Sequence, residues 1–330
     1  MRQFSKIQLE LLRQLSDGHC HSGKLIAEIL GVSRTAIWKQ ITQLEELGLA
    51  IQRIPQQGYQ LTHPLILLEE QFIRQHLKNQ QWNKEINFHL FATVDSTNQF
   101  LKELAPTSSI DICCAEKQTH GRGRFGRQWV SPFGENIYFS SRWELNCCLS
   151  RLSGLSLVVG LAILASLQTI PIQQDIRIKW PNDVMWGNKK LCGILIEVIA
   201  ETNSCAQVII GIGMNINTAT QEQLLPDKPW CSLYEITGQY FDRNRILANL
   251  IYHLDKHLNQ FLAAGFAAFT ADWQKVDYLE NQFIKVSQPT GVMSGYACGV
   301  NELGQLCLQD DEGKRHYLSS GDTSLKTENL

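Results

Sequence analysis

The sequence lacks the features of a membrane protein and of a disulfide-stabilised one. Its most apolar stretch, Leu155–Leu167, is interrupted by Ser156, Gly160 and Ser166 and falls short of the ~20 residues that a membrane-spanning helix needs. The ten cysteines are scattered without a CxxC pair, which favours reduced thiols over a disulfide framework. The first ten residues lack the apolar core of a signal peptide, so we expect a cytoplasmic protein without a membrane partner.

A strong excess of charge of one sign is also missing. The formal net charge is −2, so any contact with a nucleic acid must be local. The sequence is 44% hydrophobic, which excludes global disorder, and its 330 residues favour two or three domains. His19-Cys20-His21 is a weak metal candidate, because neighbouring side chains point apart and a fourth ligand is not evident.

Residues 22–41, SGKLIAEILGVSRTAIWKQI, have the pattern of a helix-turn-helix. Ser22 and Ser33 are predicted N-caps, and Gly31 provides the positive φ of the turn. An amphipathic helix precedes the motif, and a hairpin at residues 50–61 follows it, which together predict a winged helix. The apolar residues expected to face inward from the first helix of the motif are Leu25, Ile26, Ile29 and Leu30.

Small, polar and cationic residues occupy the start of the second helix, where base edges and phosphates would be contacted. Arg53 adds a cation from the hairpin, which favours DNA over the alternative of a three-helix module for protein contacts. With so few cations, one module would bind weakly, and a dimer would place two recognition helices ~34 Å apart. The candidate DNA-binding residues are Ser22, Ser33, Arg34, Thr35, Trp38 and Lys39.

The segment GRGRFGRQW, residues 121–129, alternates glycine and arginine just before an apolar strand. Glycines let a backbone approach an anion, and arginines add charge in a fork that suits carboxylates and phosphates. It contains no GK[ST] and does not open a helix, so neither a Walker loop nor a dinucleotide fingerprint is indicated. A solvated loop is the alternative, although such loops favour Ser, Asn, Asp and Lys. We interpret the segment as an anion-wrapping loop.

Other polar residues and glycines surround the predicted central strands. Ser96 or Thr97 is expected to cap a helix, and RIKWPNDV, residues 177–184, clusters Lys179, Asn182 and Asp183. Periodicity alone favours a surface position for Lys190, at the exit of a hairpin. Strand glycines indicate close approach of a ligand or another backbone. They are Gly193, Gly211 and Gly213, with Asn215 just beyond.

These features suit a small, partly apolar acid bound beside a nucleotide phosphate. A carboxylate is a poor electrophile, and joining it to AMP makes a reactive mixed anhydride. Arginines, a lysine and Mg²⁺ would stabilise the charge that develops on the phosphates. A loop that closes over the product would exclude water.

The motifs resemble those of the biotin protein ligases that double as repressors of the biotin operon. The resemblance covers nearly the whole chain and includes, in order, the helix-turn-helix, DSTN, KQTHGRGRFGRQW, KWPNDV, KKLCGILIE and GIGMNIN. It implies ATP-dependent formation of biotinyl-5′-AMP, with Mg²⁺, and transfer of biotin to one lysine of the biotin carboxyl carrier protein of acetyl-CoA carboxylase. It also implies operator DNA as a partner, biotinyl-5′-AMP as corepressor and a homodimer formed on adenylate binding.

The same resemblance implies a role for individual residues. Lys190, Arg122 and Arg124 would be catalytic, which overturns the surface position of Lys190, and Asp183 would hold Mg²⁺. The expected biotin-binding residues are Ser96, Thr97, Asn98, Gln118, Gly121, Arg122, Gly123, Arg124, Lys190, Gly193 and Gly211. The expected ATP- or adenylate-binding residues are Arg124, Arg127, Trp129, Lys179, Asn182, Asp183, Asn215, Trp230 and Lys326.

Two positions depart from the family pattern. Phe125 stands where the family often has arginine, so the loop carries one cation fewer, and Lys326 replaces an arginine fork by a point charge. The alternatives are a ligand-responsive DNA-binding regulator without ligase activity, and a ligase that no longer regulates transcription. Intact Arg122, Arg124 and Lys190 argue against the first. A lipoate ligase is the nearest enzymatic competitor.

The predicted fold class is α+β. We expect a winged helix-turn-helix over residues 1–63 and a linker over 64–82, with a helix over residues 65–78. A mixed-sheet α/β domain for biotin and ATP is expected over 83–276, followed by a small SH3-like β-barrel over 277–330.

Overall fold

The computed structural model describes residues 1–168, 170, 172, 175–201, 204–219 and 229–325. Its N-terminal part is the predicted winged helix, with the hairpin strands paired antiparallel. A core of its own holds this part together, built from residues such as Leu11, Leu15, Ile37, Ile41 and Leu44. The elements are α1 Lys6–Leu15, α2 Gly23–Leu30, α3 Arg34–Glu46, β1 Ile51–Ile54 and β2 Gly58–Leu61.

The predicted turn chemistry of the winged helix is confirmed, but part of the predicted core face is wrong. Ser22 and Ser33 accept hydrogen bonds as N-caps of α2 and α3, and Gly31 adopts φ 65° at the end of α2. Leu25 and Ile29 are 51% and 55% exposed. Since α1 and α3 cover only one side of this eight-residue helix, the second apolar strip of α2 faces outward.

The central part is a seven-stranded mixed sheet in the order β3-β4-β5-β9-β8-β7-β6, with β3 and β4 parallel and the other pairs antiparallel. Long helices cover one face of the sheet, whereas α5 packs on the other. The strands are β3 Ile86–Phe91, β4 Ile110–Ala115, β5 Ile137–Leu145, β6 Ile176–Lys179, β7 Asp183–Trp186, β8 Lys189–Glu201 and β9 Ala206–Met214. The helices are α4 Glu70–Asn79, α5 Thr97–Glu103, α6 Leu155–Leu167, α7 Leu233–Thr237, α8 Arg243–Ala264 and α9 Thr270–Gln274.

The C-terminal part is an antiparallel sheet in the order β13-β12-β11-β10-β14, as the short strands and turns of the sequence predicted. Its buried face joins the same core as the central sheet and α6. The strands are β10 Phe283–Gln288, β11 Gly291–Val300, β12 Leu306–Gln309, β13 Arg315–Leu318 and β14 Asp322–Leu325.

The chain between the winged helix and the central sheet is helical only from Glu70 onward, although the pattern predicted a helix from residue 65. The segment before α4 instead gives its backbone groups to side chains. Arg243 donates to the carbonyl of Ile66, and the amide of Leu68 donates to Glu116 at 2.7 Å. Arg243 and Glu116 are themselves paired and buried.

The domain boundaries given above remain predictions.

Among the described residues, no helix combines the length and the apolar character needed to cross a membrane. All ten cysteines lie in the described part of the chain, and none of them forms a disulfide.

Candidate active site

A cavity of about 50 Å³ lies where the N-terminus of α5 and the glycine-arginine loop (residues 121–129) meet β8 and β9. Polar side chains and the backbone of several glycines line the cavity. It therefore has an apolar floor and a cationic rim. The lining residues are Ser96, Thr97, Asn98, Gln118, Arg122, Gly123, Arg124, Trp129, Phe139, Asn182, Lys190, Gly193, Ile194, Leu195, Gly211, Ile212 and Gly213.

Three glycines form the floor of the cavity on neighbouring strands. Gly193 of β8 pairs with Gly213 of β9, and Gly211 lies two residues before it on the same strand. A Cβ atom at Gly211 would collide with Asn98 Oδ1, and one at Gly213 would lie 2.5 Å from Trp129 Cε2. Any larger residue at these places would therefore displace a side chain of the cavity.

A polar network fixes the wall formed by α5. Ser96 is the N-cap of α5, and Gln118 Oε1 accepts from the amide of Thr97 at 2.9 Å. Ser140 donates to Asn98 Oδ1 at 2.6 Å, while Asn98 Nδ2 donates to Glu197 at 2.8 Å. These side chains are held in one geometry before a ligand arrives, which limits the entropy that binding would cost.

The side chains of the three loop arginines bind different partners. Arg122 donates to Glu197 at 3.0 Å, and Arg124 donates to Asn182 Oδ1 at 3.1 Å and to the carbonyl of Gly321 at 3.2 Å. Arg127 is paired with the carboxylate of Asp322. Each arginine therefore joins the loop to another element, among them β8 and β14.

Local electrostatics shift the pKa values of two of these arginines in opposite directions. Burial lowers the pKa of the Arg124 guanidinium from its usual range, although the Asp322 and Asp183 carboxylates oppose the shift. The hydrogen bond to Asp322 raises the pKa of Arg127.

Lys190 points into the cavity, so the surface position favoured by periodicity alone is wrong. Its Nζ lies 2.6 Å from Asp183 Oδ1, an ion pair without hydrogen-bond alignment. The same Nζ lies 5.4 Å from the centre of the Trp129 ring. Trp129 Nε1 is buried without a hydrogen-bond partner, beside Gly213 of the cavity floor.

The remaining sequence-predicted residues lie around the cavity rather than on its wall. Gly121 is buried, and the Trp129 amide donates to its carbonyl at 2.8 Å. Lys179 lies opposite Asp183 in the antiparallel register of β6 and β7. Asn215 Nδ2 donates to the carbonyl of Cys231 at 3.0 Å, which fixes the chain beside Trp230, itself bridged to Lys190. Lys326 lies outside the described residues.

Several cavity residues escaped sequence reasoning. Phe139, Ile194, Leu195 and Ile212 look like ordinary strand positions, and only the strand pairing shows that they surround the glycines. Ser140 and Glu197 carry the polar network but were not singled out by any motif. A single charged residue within the otherwise apolar run 191–200 of β8 is the one signal that could have drawn attention to Glu197.

Some of the predicted DNA-binding residues line a common groove, and others lie outside it. Ser22, Arg34, Thr35 and Trp38 line a groove between α3 and the hairpin, together with residues 53–59. Ser33 serves as the N-cap of α3, and Lys39 is exposed outside the groove. The predicted cation at Arg53 is paired with Glu45.

The winged helix is typical of a DNA-binding protein. The mixed sheet that follows it carries a cavity with a glycine floor, a cationic loop and a lysine, which is typical of a ligase site. A model of the Biotin/lipoate A/B protein ligase family matches residues 90–215, and an HTH domain model matches residues 7–60.

Relatives match over almost the whole chain. The chain is 35% identical over 322 residues to the bifunctional ligase/repressor BirA of Salmonella typhimurium, covering 97% of this chain and 98% of the relative. It is 34% identical over 322 residues to the BirA of Escherichia coli, with the same coverage. The chain therefore belongs to the family of bifunctional biotin ligase/repressors.

Solved structures agree with this assignment. The biotin protein ligase from Aquifex aeolicus in complex with biotin and ATP superposes with a TM-score of 0.62 at 31% identity, over 73% of this chain and 98% of that one. A crystal structure of the biotin protein ligase from the same organism gives a TM-score of 0.60 at 28% identity, also over 73% of this chain and 98% of that one.

Proposed function

We propose that this chain joins biotin to AMP at the cavity beneath the glycine-arginine loop and transfers the biotin to a lysine of the biotin carboxyl carrier protein. The observation that carries the proposal is the meeting of glycine floor, loop arginines and Lys190 in one cavity. The same protein represses transcription of biotin synthesis through its winged helix, with biotinyl-5′-AMP as corepressor.

The reaction has two steps. The biotin carboxylate attacks the α-phosphorus of ATP, the bond to pyrophosphate breaks, and biotinyl-5′-AMP forms. The amine of the carrier lysine then attacks the carbonyl carbon, AMP leaves, and the nitrogen loses a proton as the amide forms. A covalent enzyme intermediate is not part of this route.

The chain's residues take distinct roles in the proposal. The glycines of β8 and β9 accept the fused bicyclic ring of biotin, and Ser96, Thr97, Asn98 and Gln118 offer polar groups at its end. Arg122, Arg124 and Lys190 stabilise charge on the carboxylate and α-phosphate. The residues assigned to the nucleotide are Arg127, Trp129, Lys179, Asn182, Asn215, Trp230 and Lys326.

Asp183 is the residue that would hold Mg²⁺. The described residues contain no cluster of three metal-ligating side chains, yet Mg²⁺ commonly uses one carboxylate together with substrate phosphates. Asp183 Oδ1 is buried and lies 2.6 Å from Lys190 Nζ, so Mg²⁺ would share this carboxylate with the lysine. When bound there, Mg²⁺ would neutralise phosphate charge.

A homodimer formed on adenylate binding is part of the proposal. The groove beside α3 contributes only Arg34 and Arg53 as cations among the described residues, and the second of these is paired with Glu45. Few phosphate contacts give weak binding at physiological salt, so two winged helices would be needed to hold an operator.

The ligase half is tested by incubating the protein with ATP, Mg²⁺, biotin and a purified biotin carrier domain of acetyl-CoA carboxylase. We expect mass spectrometry to show a gain of one biotin on a single carrier lysine. A carrier in which that lysine is replaced by arginine should gain nothing. Biotin binding without transfer would favour a regulator without ligase activity, and absence of biotin binding would redirect the search to lipoate.

Gly211→Ala is expected to weaken biotin binding roughly 10–100-fold, in line with the cost of forcing an extra methyl into a packed site. The new Cβ collides with Asn98 Oδ1 and disturbs the hydrogen bonds to Ser140 and Glu197. Isothermal titration with biotin measures the effect. Gln207→Ala, on the same strand but outside the cavity, is the control and should bind normally. Unchanged biotin affinity in Gly211→Ala would place the biotin ring elsewhere.

A further inference from the structure

The outer face of α3 presents a tryptophan to the groove of the winged helix. Arg34, Trp38 and Thr42 recur every four residues and lie on one side of the helix, while Ile37, Ile41 and Leu44 are fully buried on the other. Trp38 is 50% exposed, although indole is a large apolar group. A residue of this kind at the centre of a recognition helix calls for a function.

Arg53 of the hairpin holds the Trp38 ring in place. Its guanidinium carbon lies 5.7 Å from the centre of the ring. Its Nε and Nη2 donate to the two carboxylate oxygens of Glu45 at 3.0 and 2.5 Å, and Nη2 also donates to Thr42 Oγ1 at 3.1 Å. Thr42 Oγ1 in turn donates to the carbonyl of Trp38 at 3.1 Å.

This arrangement assigns Arg53 a role other than phosphate binding. Because Glu45 neutralises it in a bidentate pair, Arg53 offers little net charge to a DNA backbone. Its guanidinium plane instead covers one part of the indole and fixes the orientation of the exposed part. Arg53 is therefore a positioning residue for Trp38.

The groove itself is suited to a DNA duplex. Its lining contains no acidic residue among the described ones: Ser22, Gly23, Arg34, Thr35, Trp38, Arg53, Ile54, Pro55, Gln56, Gln57, Gly58 and Tyr59. In the major groove of DNA the one apolar feature on a base edge is the C5-methyl group of thymine. A fixed apolar ring on a recognition helix is complementary to that methyl group.

We propose that Trp38, held by Arg53, Glu45 and Thr42, is a specificity-determining residue that reads a thymine methyl group in the operator. The proposal rests on the repressor function proposed above and adds the base feature that the recognition helix selects. Arg34 and Lys39 supply charge, whereas Trp38 supplies sequence preference.

The test begins with the full-length protein, preincubated with biotin, ATP and Mg²⁺ and used to select duplexes from a randomised pool. In the selected duplex, each thymine is then replaced singly by deoxyuridine, which removes only the methyl group. We expect at least one replacement to weaken binding of the wild-type protein about three- to tenfold. In Trp38→Ala that penalty should disappear, because the methyl group then has no partner whose contact could be lost.

Two further variants separate readout from charge. Arg53→Gln combined with Glu45→Gln keeps the local charge neutral, so the salt dependence of binding should stay as in the wild type while the deoxyuridine penalty shrinks. Lys39→Ala should weaken binding to all sequences alike and lower the salt slope by about one. Carrier biotinylation at the wild-type rate shows that the central part of each variant is folded, and an unchanged far-ultraviolet circular dichroism spectrum shows the same for the winged helix.

The outcomes separate the role of Trp38 from the repressor function. A selected consensus whose deoxyuridine profile is the same in wild type and Trp38→Ala overturns the role of Trp38 and leaves the repressor function standing. That role is likewise overturned if no thymine in the consensus responds to replacement. Failure of the wild type to select any consensus overturns the repressor function, and the role of Trp38 with it.

Discussion

Replacing Lys190 by alanine is expected to lower the rate of biotinyl-5′-AMP formation roughly 10²–10³-fold, the usual cost of removing one preorganised group that faces developing charge. Lys190 Nζ lies in the cavity between Asp183 and the Trp129 ring, where low dielectric strengthens its interaction with an anion. Biotin affinity should change far less, because the floor and the α5 wall remain. Pyrophosphate release in single-turnover experiments measures the chemical step, and titration with biotin measures binding.

The neighbouring lysine provides a matched control. Lys189 precedes Lys190 on β8 but is paired with Glu235 of α7 and does not line the cavity. Lys189→Ala removes the same charge from the next residue and should ligate at close to the wild-type rate. Equal losses in both variants would mean that the general charge of the hairpin matters, and a fully active Lys190→Ala would remove Lys190 from the mechanism.

Replacing Arg243 by methionine is expected to lower the free energy of unfolding of the central part by about 3–5 kcal/mol, the range found when one partner of a buried ion pair is removed. Arg243 is fully buried and contacts Glu116 at 2.7 Å, the carbonyl of Asn136 at 2.8 Å and the carbonyl of Ile66. The substitution leaves the Glu116 carboxylate buried without its cation and two carbonyls without this donor.

Urea unfolding monitored by far-ultraviolet circular dichroism measures this loss. Arg245→Met is the control, since Arg245 lies two residues along the same helix and is exposed. Surface substitutions usually change stability by less than about 0.5 kcal/mol. If both variants unfold at the same urea concentration, the Arg243 pair contributes no more than a surface charge.

Local chemistry explains which parts of the fold could be predicted. The caps at Ser22 and Ser33 and the positive φ of Gly31 depend on a few consecutive residues, and the structure confirms them. The outward position of Leu25 and Ile29 depends on how much of α2 its neighbours cover, which periodicity does not contain. The late start of α4 depends on Arg243, which lies far along the chain from the Ile66 carbonyl that it binds.

In the candidate site, too, some features could be predicted from the sequence and others only from the structure. The glycine-arginine loop and the strand glycines stand out in the sequence because their composition is unusual for strands and loops. The position of Lys190 could not be predicted from its own periodicity, since the register shift between β7 and β8 helps to decide where it points. The role of Glu197 is apparent only in the structure, because Asn98 and Arg122, which lie in distant segments of the chain, both donate hydrogen bonds to it.

The pairing of the loop arginines has a consequence for how the protein searches a genome. A segment with three unpaired arginines would be attracted to the phosphates of any DNA, at a place away from the recognition helix. Here two of the three end on carboxylates and the third on neutral oxygens. With two of its three cations neutralised, the loop without bound adenylate should therefore compete little with the winged helix for a duplex, and the winged helix should dominate the salt dependence of DNA binding.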